Sequence, residues 1–354
     1  MSADGRLRVL VADDSQTVRG ALRAFLSAHP RIEVVGEASD GVEAVRLAAE
    51  LRPDVITMDV QMPQLDGIGA VLDIMALAPC RILIVCSVTA ESEMSLSFRA
   101  MAAGALELIP KPARGGALEL DAWGAKVTEA VLLMSSVPVI GRRRVIEPVT
   151  FPPVSVTTRH EVNAFGIVAS TGGPTALASI FSSLPPAFLA PIFVAQHMSP
   201  GFMRGLWDWL RTVSRLPVEL AVEGRTCEPG HVYLSPDSHD LTVDREGMMH
   251  VRSSSGGDGP SGNRLLASLA DAYGQHSGGI VLTGMGDDGA AGLLAIRNAG
   301  GATIAQDEAS SVVFGMPLAA CQAGAVREVV PLERIAQRMH ELTLRSDMRE
   351  REGM

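Results

Sequence analysis

Short apolar segments alternate with amphipathic segments through residues 1–135 of the chain. The apolar segments have the length of buried strands, and the segments between them repeat their apolar residues every three or four positions, as helices do. Five such pairs in series predict a flavodoxin-like, doubly wound parallel sheet, which binds ligands at the carboxyl ends of its strands. The predicted strands are Leu7–Ala12, Ile32–Ala38, Asp54–Asp59, Arg81–Ser87 and Leu106–Pro110.

A second α/β pattern covers residues 163–345. Apolar strand candidates at Ala164–Ser170, Ala190–His197 and Gly278–Gly284 are followed by helical segments. The segment His231–Arg252 instead has short strand patterns joined by turn residues, which predicts an antiparallel hairpin. This half is therefore expected to be a doubly wound, mainly parallel α/β domain with one antiparallel excursion.

Two segments lack either pattern. Residues 136–162 contain four prolines and no sustained helical period, which predicts a semi-extended linker between the domains. Residues 346–354 are highly charged and are expected to form a tail. The basic run Arg142–Arg144 falls in the linker, where a solvated segment is expected more often than a binding patch.

Composition narrows the possible functions. The 354 residues are 47% hydrophobic and 20% charged, which is typical of globular domains. A formal charge of −10 and an aromatic content of 4% argue against a nucleic-acid partner. The second half also lacks a helix-turn-helix pattern and a basic face, which argues against a DNA-binding regulator.

The expected location is the cytoplasm. The four cysteines form no CxxC pair, which predicts a reducing compartment and no structural zinc. The N-terminus has no apolar signal segment, and no segment approaches the ~18 apolar residues of a membrane span. We therefore expect no direct membrane insertion.

Ionisable and hydroxyl residues follow the strands of the first domain. Because the carboxyl ends of parallel strands share one edge, these groups are expected to converge there. Three carboxylates repel one another unless a cation lies among them, and their oxygens suit Mg²⁺. One aspartate at a strand end is commonly a turn or helix cap, but the whole set favours a carboxylate that accepts a phosphoryl group. The set comprises Asp13, Asp14, Asp59, Ser87 and Lys111.

The segments Asp13–Ser15 and Met58–Gly67, with Ser87 and Lys111–Pro112, resemble a bacterial response-regulator receiver. The resemblance implies that Asp59 accepts a phosphoryl group from a histidine kinase of the chemotaxis type, and that Ser87 and Lys111 sense it. It also implies a set of Mg²⁺ ligands, namely Asp13, Asp14, Asp59 and the backbone carbonyl of Gln61. Receivers usually have an aromatic switch residue three positions before the lysine, where this chain has Leu108. We expect phosphorylation to survive this change, whereas the aromatic switch is not expected.

Ser170 follows directly after the first strand of the second domain. A sharp strand-to-helix turn holds a hydroxyl exposed. Gly172 and Gly173 allow close backbone approach, and Pro174 suits a first helical turn. Backbone N–H groups at such a helix start are able to stabilise an oxyanion. Taken alone, the turn is a weak signal for catalysis, because a phosphate-binding loop or a plain helix cap has the same pattern more often.

A histidine and two aspartates are expected at the same sheet edge as Ser170. His197 ends the next strand 27 residues later, and Asp287 and Asp288 follow a further strand. Together they offer a nucleophile, a general base and an orienting carboxylate, a triad that is defined by geometry. The spacing does not choose between the two aspartates.

Four segments of this half, 169–174, 196–202, 282–292 and 304–317, resemble the catalytic domain of chemotaxis protein-glutamate methylesterases, the CheB family. The resemblance implies that Ser170 is the nucleophile, His197 the base and Asp288 the orienting carboxylate. Backbone N–H groups near Thr171 and Met285 are the implied oxyanion donors. The implied reaction is hydrolysis of glutamyl γ-methyl esters on chemoreceptors, with glutamine deamidation in related enzymes, and without a cofactor in the esterase.

One segment departs from the family pattern. Where relatives often show PSVD followed by Leu-Phe, residues 260–266 read PSGNRLL, with Gly262, Asn263 and Leu266 altered. If this loop lines the substrate groove, a different receptor is expected.

The two resemblances together imply that phosphorylation loosens an unphosphorylated receiver from the esterase groove. Two alternatives stand beside this hypothesis. One is a non-catalytic module that binds a receptor or kinase, and the other is the same esterase in a chemosensory pathway unrelated to motility.

Overall fold

The computed structural model describes residues 5–87, 91–112, 116–135, 161–254 and 259–344. The chain divides into two compact units, Met1–Val145 and Ile146–Met354. Most of the predicted linker and the whole predicted charged tail lie outside the described residues. The predicted domain limits therefore stay predictions.

The first unit is a parallel sheet of five strands. The strands are β1 (Leu7–Ala12), β2 (Ile32–Ala38), β3 (Val55–Met58), β4 (Arg81–Cys86) and β5 (Glu107–Pro110). The helices are α1 (Gln16–Ala28), α2 (Gly41–Leu51), α3 (Gly67–Leu77), α4 (Glu91–Ala103) and α5 (Ala117–Met134). The strand order β2-β1-β3-β4-β5 with every pair parallel confirms the flavodoxin-like prediction.

Polar caps fix where the first three helices of this unit begin. Ser15, Asp40 and Asp66 each accept a hydrogen bond from the backbone N–H three residues further on. Such caps satisfy N–H groups that have no partner inside the helix. Strands β1, β3 and β4 are almost wholly buried, as a sheet covered on both faces requires, whereas the edge strand β2 is mostly half-buried.

The second unit has a seven-stranded parallel sheet and a separate hairpin. Its strands are β6 (Ala164–Ala169), β7 (Ile192–Gln196), β8 (Val218–Leu220), β9 (Val232–Leu234), β10 (His239–Val243), β11 (Met249–Ser253), β12 (Ser277–Val281), β13 (Ala302–Gln306) and β14 (Glu328–Val330). Its α-helices are α6 (Gly173–Ser183), α7 (Met203–Val213), α8 (Gly262–Tyr273), α9 (Ala290–Asn298), α10 (Met316–Gln322) and α11 (Leu332–Thr343), and Gly274–His276 form a 3₁₀ turn.

The strand order of the large sheet is β14-β13-β12-β6-β7-β9-β8, with all neighbours parallel. Strands β10 and β11 form the predicted antiparallel hairpin. The first strand of the predicted excursion, Val232–Leu234, joins the main sheet instead, in parallel with β7. Strands β8, β13 and β14 were not anticipated. Strands β8 and β14 have only three residues, which carry too little periodicity to be recognised.

The order of the strands decides which loops meet. Strand β6 lies between β12 and β7, so the segments that follow these three strands share one sheet edge. Below this edge the sheet packs on α8 and α9 through a continuous buried cluster, which includes Val168, Leu266, Leu269, Val281, Leu293 and Ile296.

Among the helices in the described ranges, none combines the length and apolar character needed to cross a membrane. None of the four cysteines, all of which the structure describes, forms a disulfide; Cys80 and Cys86 are buried, and Cys227 and Cys321 are half-buried.

Candidate functional sites

An acidic pocket lies at the carboxyl edge of the first sheet. A cavity of about 190 Å³ is lined by Asp14, Asp59, Val60, Gln61, Cys86, Ser87 and Lys111. Asp13 and Asp59 are buried, whereas Asp14 is exposed. The strand-end residues expected to converge therefore do so, with Asp13 immediately behind the cavity.

Lys111 joins the two buried carboxylates. Its Nζ lies 2.8 Å from Asp13 Oδ2 and 2.7 Å from Asp59 Oδ2. The other oxygen of Asp59 accepts the Val60 backbone N–H at 2.7 Å, and Asp13 Oδ1 accepts that of Ser15 at 3.0 Å. Both carboxylates thus have fixed orientations.

Burial dominates the electrostatics of this pocket. It raises the pKa of Asp59 to about 6, and Asp13 adds to the rise, while Lys111 opposes it. Burial likewise raises the pKa of Asp13 against the effect of Lys111. A single ammonium group thus leaves two carboxylates undercompensated, and a further positive charge would stabilise their ionised forms.

The donor set fits a hard divalent cation. Oxygens of Asp13, Asp14 and Asp59 all lie within 4.8 Å of one another. Carboxylate oxygens in this arrangement, open to a cavity that also exposes Gln61, are typical ligands of Mg²⁺. Leu108, in place of an aromatic switch residue, is 7% exposed within β5.

Ser170 lies in the tight turn between β6 and α6. Gly172 adopts φ +78°, a conformation that favours glycine, and ends the turn as the cap of α6. A Cβ on Gly173 would lie 2.1 Å from Gln196 Oε1, so only glycine fits there. The Ser170 N–H donates to the Thr283 carbonyl at 3.0 Å, which fixes the turn to the segment that follows β12.

His197 and Asp288 are directly hydrogen-bonded. His197 Nε2 lies 2.8 Å from Asp288 Oδ2 and 3.0 Å from the Pro260 carbonyl oxygen. Both partners are acceptors at pH values where the carboxylate is ionised, so Nε2 carries the proton of a neutral ring. The lone pair of that ring is then on Nδ1.

The neighbouring aspartates have different environments. Asp287 is exposed, whereas Asp288 accepts hydrogen bonds from the backbone N–H groups of Gly262 at 2.6 Å and Asn263 at 2.9 Å. Burial alone would raise the pKa of Asp288, but the bonds from His197, Asn263 and Gly262 outweigh it and lower the pKa. The carboxylate beside His197 is therefore held ionised.

The segment after β12 lies against Ser170. Thr283 Oγ1 donates to the Thr171 carbonyl at 2.9 Å, and a Cβ on Gly284 would lie 2.7 Å from that of Ser170. Neither the Thr171 N–H nor the Met285 N–H takes part in the backbone hydrogen bonds found between described residues. Thr171 is half-buried and Met285 exposed beside this turn.

Two of the three supporting residues were not singled out from the sequence, and the third, Asn263, was named there only as an altered position. Gln196 is buried and its Nε2 donates to the carbonyls of Ser170 at 2.8 Å and His197 at 2.7 Å. Gln306 accepts the Thr283 N–H at 2.9 Å. The Asn263 N–H donates to the Asp288 carboxylate, and the Asn263 side-chain oxygen accepts the N–H of the next residue, Gly289. A glutamine at the end of an apolar strand was the available signal for the first two, whereas the role of Asn263 depends on tertiary contacts alone.

The fold and these two sites define a receiver joined to a doubly wound esterase domain with a serine, a histidine and an aspartate at one sheet edge. The family model described as CheB methylesterase matches residues 165–339, and that described as response regulator receiver domain matches residues 9–120.

Proteins of similar sequence match most of the length of the chain. It is 53% identical to protein-glutamate methylesterase/protein-glutamine glutaminase 3 of Myxococcus xanthus, over 94% of this chain and 92% of that protein. It is 36% identical to the protein-glutamate methylesterase/protein-glutamine glutaminase of Pyrococcus abyssi, over 94% of this chain and 92% of that protein. The crystal structure of the Thermotoga maritima CheB methylesterase catalytic domain matches with 34% identity and a TM-score of 0.50, covering 51% of this chain and 99% of that one. The chain therefore belongs to the CheB methylesterase family of enzymes, in the form that also carries a receiver.

Proposed function

We propose that this enzyme hydrolyses glutamyl γ-methyl esters on chemoreceptors, and that phosphorylation of Asp59 increases the rate. The observation that carries the esterase proposal is the hydrogen bond of 2.8 Å between His197 Nε2 and Asp288 Oδ2, at the sheet edge that also holds Ser170. The names of the relatives supply the substrate class.

In this proposal Ser170 attacks the ester carbonyl and His197 Nδ1 takes the hydroxyl proton. Asp288 stays ionised, keeps the Nε2 proton in place and stabilises the positive ring. The backbone N–H groups of Thr171 and Met285 stabilise the negative oxygen of the tetrahedral intermediate. The proton then passes from His197 to the methoxy group. Methanol departs, and the acyl group remains bonded to Ser170.

Water completes the reaction. His197 removes a proton from the water as it attacks the acyl carbonyl, and returns that proton to Ser170 Oγ as the acyl bond breaks. The products are a receptor glutamate and methanol, with the enzyme unchanged.

In the receiver, we propose that Asp59 accepts a phosphoryl group from a histidine kinase. The phosphorus–nitrogen bond of the phosphohistidine breaks as the bond to an Asp59 oxygen forms. Asp13, Asp14, Asp59 and the Gln61 carbonyl would hold Mg²⁺, which neutralises charge on the phosphoryl group. Lys111 lies within 2.7 Å of Asp59 and, with Ser87 on the same cavity, would bind the phosphoryl oxygens.

The esterase proposal is tested by methanol release from methylated receptor membranes. We expect release by the wild type, an increase on addition of acetyl phosphate and Mg²⁺, and loss in Ser170→Ala. Ser183→Ala, at an exposed serine of α6, is the matched control and should release methanol like the wild type. The Asp59→Asn variant should keep the basal rate without responding to acetyl phosphate.

Two results would contradict the proposal in different ways. Unchanged release by Ser170→Ala would exclude Ser170 as the nucleophile. A wild type that is phosphorylated at Asp59 but releases no methanol would favour the non-catalytic binding module.

The names of the relatives also include a second activity, that of a protein-glutamine glutaminase. We propose that the same groups deamidate receptor glutamines, because His197 can deliver a proton to leaving ammonia as it does to methanol. Ammonia release from receptors that carry glutamine should be lost in the same Ser170→Ala variant.

A further inference from the structure

The first residues of the altered segment 260–266 lie against Asp288. They form the start of α8, where Ser261 caps the helix and the next two N–H groups bind the two oxygens of Asp288. The carbonyl of Pro260, just before the helix, accepts from His197. The start of this helix therefore touches both members of the His197–Asp288 pair.

The Asn263 side chain connects the start of α8 to the start of α9, which follows Asp288 in the chain. Its Oδ1 accepts the N–H groups of Gly289 at 3.1 Å and Gly292 at 2.8 Å, at the start of α9. Both partners are donors, so the carbonyl oxygen of the amide must face them. Asn263 thus binds Asp288 through its own N–H while its side chain fixes the residue that follows Asp288.

A buried carboxylate supports the same helix start from outside. Asp240 in β10 is 3% exposed, and its oxygens accept the Ser261 N–H at 2.8 Å and Arg264 Nη1 at 2.8 Å. Glycine at position 262 lets the helix approach the sheet, since a Cβ there would lie 2.2 Å from Val168 Cγ1. The altered residues Gly262 and Asn263 therefore fit one tightly packed arrangement.

We propose that Asn263 is a positioning residue for the Asp288–His197 pair, a role that rests on the function proposed for those two residues. It clamps the starts of α8 and α9 around Asp288 and so fixes the carboxylate that orients His197. A small displacement of a reacting group is enough to slow catalysis substantially.

The test compares Asn263→Ala with Asn263→Asp by methanol release in the full-length enzyme. The alanine removes the acceptor of two N–H groups, and we expect kcat to fall on the order of tenfold with little change in KM. The aspartate keeps an acceptor oxygen at the same position, and we expect it to retain most of the wild-type kcat. Asn263→Ser is measured instead if the alanine variant does not fold.

Asp244→Ala is the matched control for a loss of stability alone. Asp244 Oδ1 also accepts two N–H groups, those of Glu246 at 3.1 Å and Met248 at 2.9 Å, in the turn between β10 and β11. Thermal unfolding should show that both alanine variants are destabilised, while only Asn263→Ala loses kcat. The ¹H NMR signal of the His197 Nε2 proton should broaden or move in Asn263→Ala and stay unchanged in Asp244→Ala.

The possible failures are distinguishable. An active wild type with the same kcat and the same His197 signal in Asn263→Ala would overturn the inference and leave the proposed function intact. Failure of Asn263→Asp to restore kcat, when it is folded, would also overturn it. An inactive wild type would overturn the proposed function itself, and the inference with it.

Discussion

Asp59 is a carboxylate that the fold holds almost entirely out of water, at 6% exposure. Burial raises its pKa to about 6, against about 3.9 for an ordinary aspartate. The folded chain therefore binds this proton more tightly than the unfolded chain does. The ionised group costs stability, and the cost grows as the pH rises from about 4 to about 6 and is constant above that.

Asp59→Asn is therefore expected to stabilise the metal-free protein at pH 7, by on the order of 1–3 kcal/mol for a shift of about two units. The gain should vanish towards about pH 3, below the unfolded-state pKa, where Asp59 is largely protonated in both states. Urea unfolding at both pH values in the presence of a chelator measures the difference. A variant that is less stable than the wild type at pH 7 would show that the ion pair with Lys111 outweighs burial.

Gln196 is a second buried polar residue, and its hydrogen bonds hold the two residues that carry the proposed reaction. Gln196→Leu would leave the carbonyls of Ser170 and His197 without their side-chain donor, at a cost of about 1–3 kcal/mol in unfolding free energy. We expect kcat for methanol release to fall at least about tenfold, because both residues lose a shared anchor. Gln337→Leu, at another buried glutamine in α11, should lower stability without this loss. Equal kcat values for the two variants would argue against the anchoring role.

At the scale of elements, both sites depend on turns that follow parallel strands. The loop after β12 approaches the turn after β6 so closely that Gly284 has no room for a side chain. A Cβ there would lie 2.3 Å from Met316 Sδ and 2.7 Å from Ser170 Cβ. The loop can make this contact because Gly284 also pairs with Phe314 in an isolated bridge.

Gly284→Ala should therefore push the loop away from Ser170. We expect a loss of stability of about 1–3 kcal/mol, as for other overpacked positions, and a fall in kcat of at least about tenfold. Gly20→Ala in α1, where a Cβ would meet nothing within 4 Å, is the control and should leave kcat unchanged. Steady-state methanol release and thermal unfolding are measured for both variants. A wild-type kcat in Gly284→Ala would show that the loop accommodates the methyl group without displacing Ser170.

At the scale of the whole molecule, the acidic pocket and the serine site belong to different compact units. Ligand binding at one site should therefore be separable from chemistry at the other by mutation. The acidic pocket provides the means to test this, because Mg²⁺ that binds only the folded protein raises its stability.

Saturating Mg²⁺ is expected to raise the midpoint of thermal unfolding by a few degrees, since a concentration ten times the Kd contributes about 1.4 kcal/mol. Removal with a chelator should reverse the shift. Asp13→Asn should abolish the shift, whereas Ser170→Ala should keep it in full. A shift that survives Asp13→Asn would place the cation elsewhere.

The fold class and the sheet edges at which the polar residues lie follow from the amino-acid pattern alone. Strands such as Leu7–Ala12 and Ala164–Ala169 are long enough to show their apolar pattern, and parallel strands share a carboxyl edge. This is why Asp13, Asp59 and Lys111 were expected together. The short strands β8 and β14 join the sheet through long-range pairing that three residues cannot signal.

How the residues at one edge face one another depends on contacts between segments that are distant in the chain. Asp287 and Asp288 are adjacent in the chain, so no spacing rule separates them. The start of α8, 25 residues earlier, binds Asp288 and leaves Asp287 exposed. The bond between His197 and Asp288 also assigns the proton to His197 Nε2. The altered residues Gly262 and Asn263 lie at the start of a helix against Asp288, and not in an open loop. These outcomes depend on hydrogen bonds between distant segments, which form only once the hydrophobic core has brought the helices and sheet together.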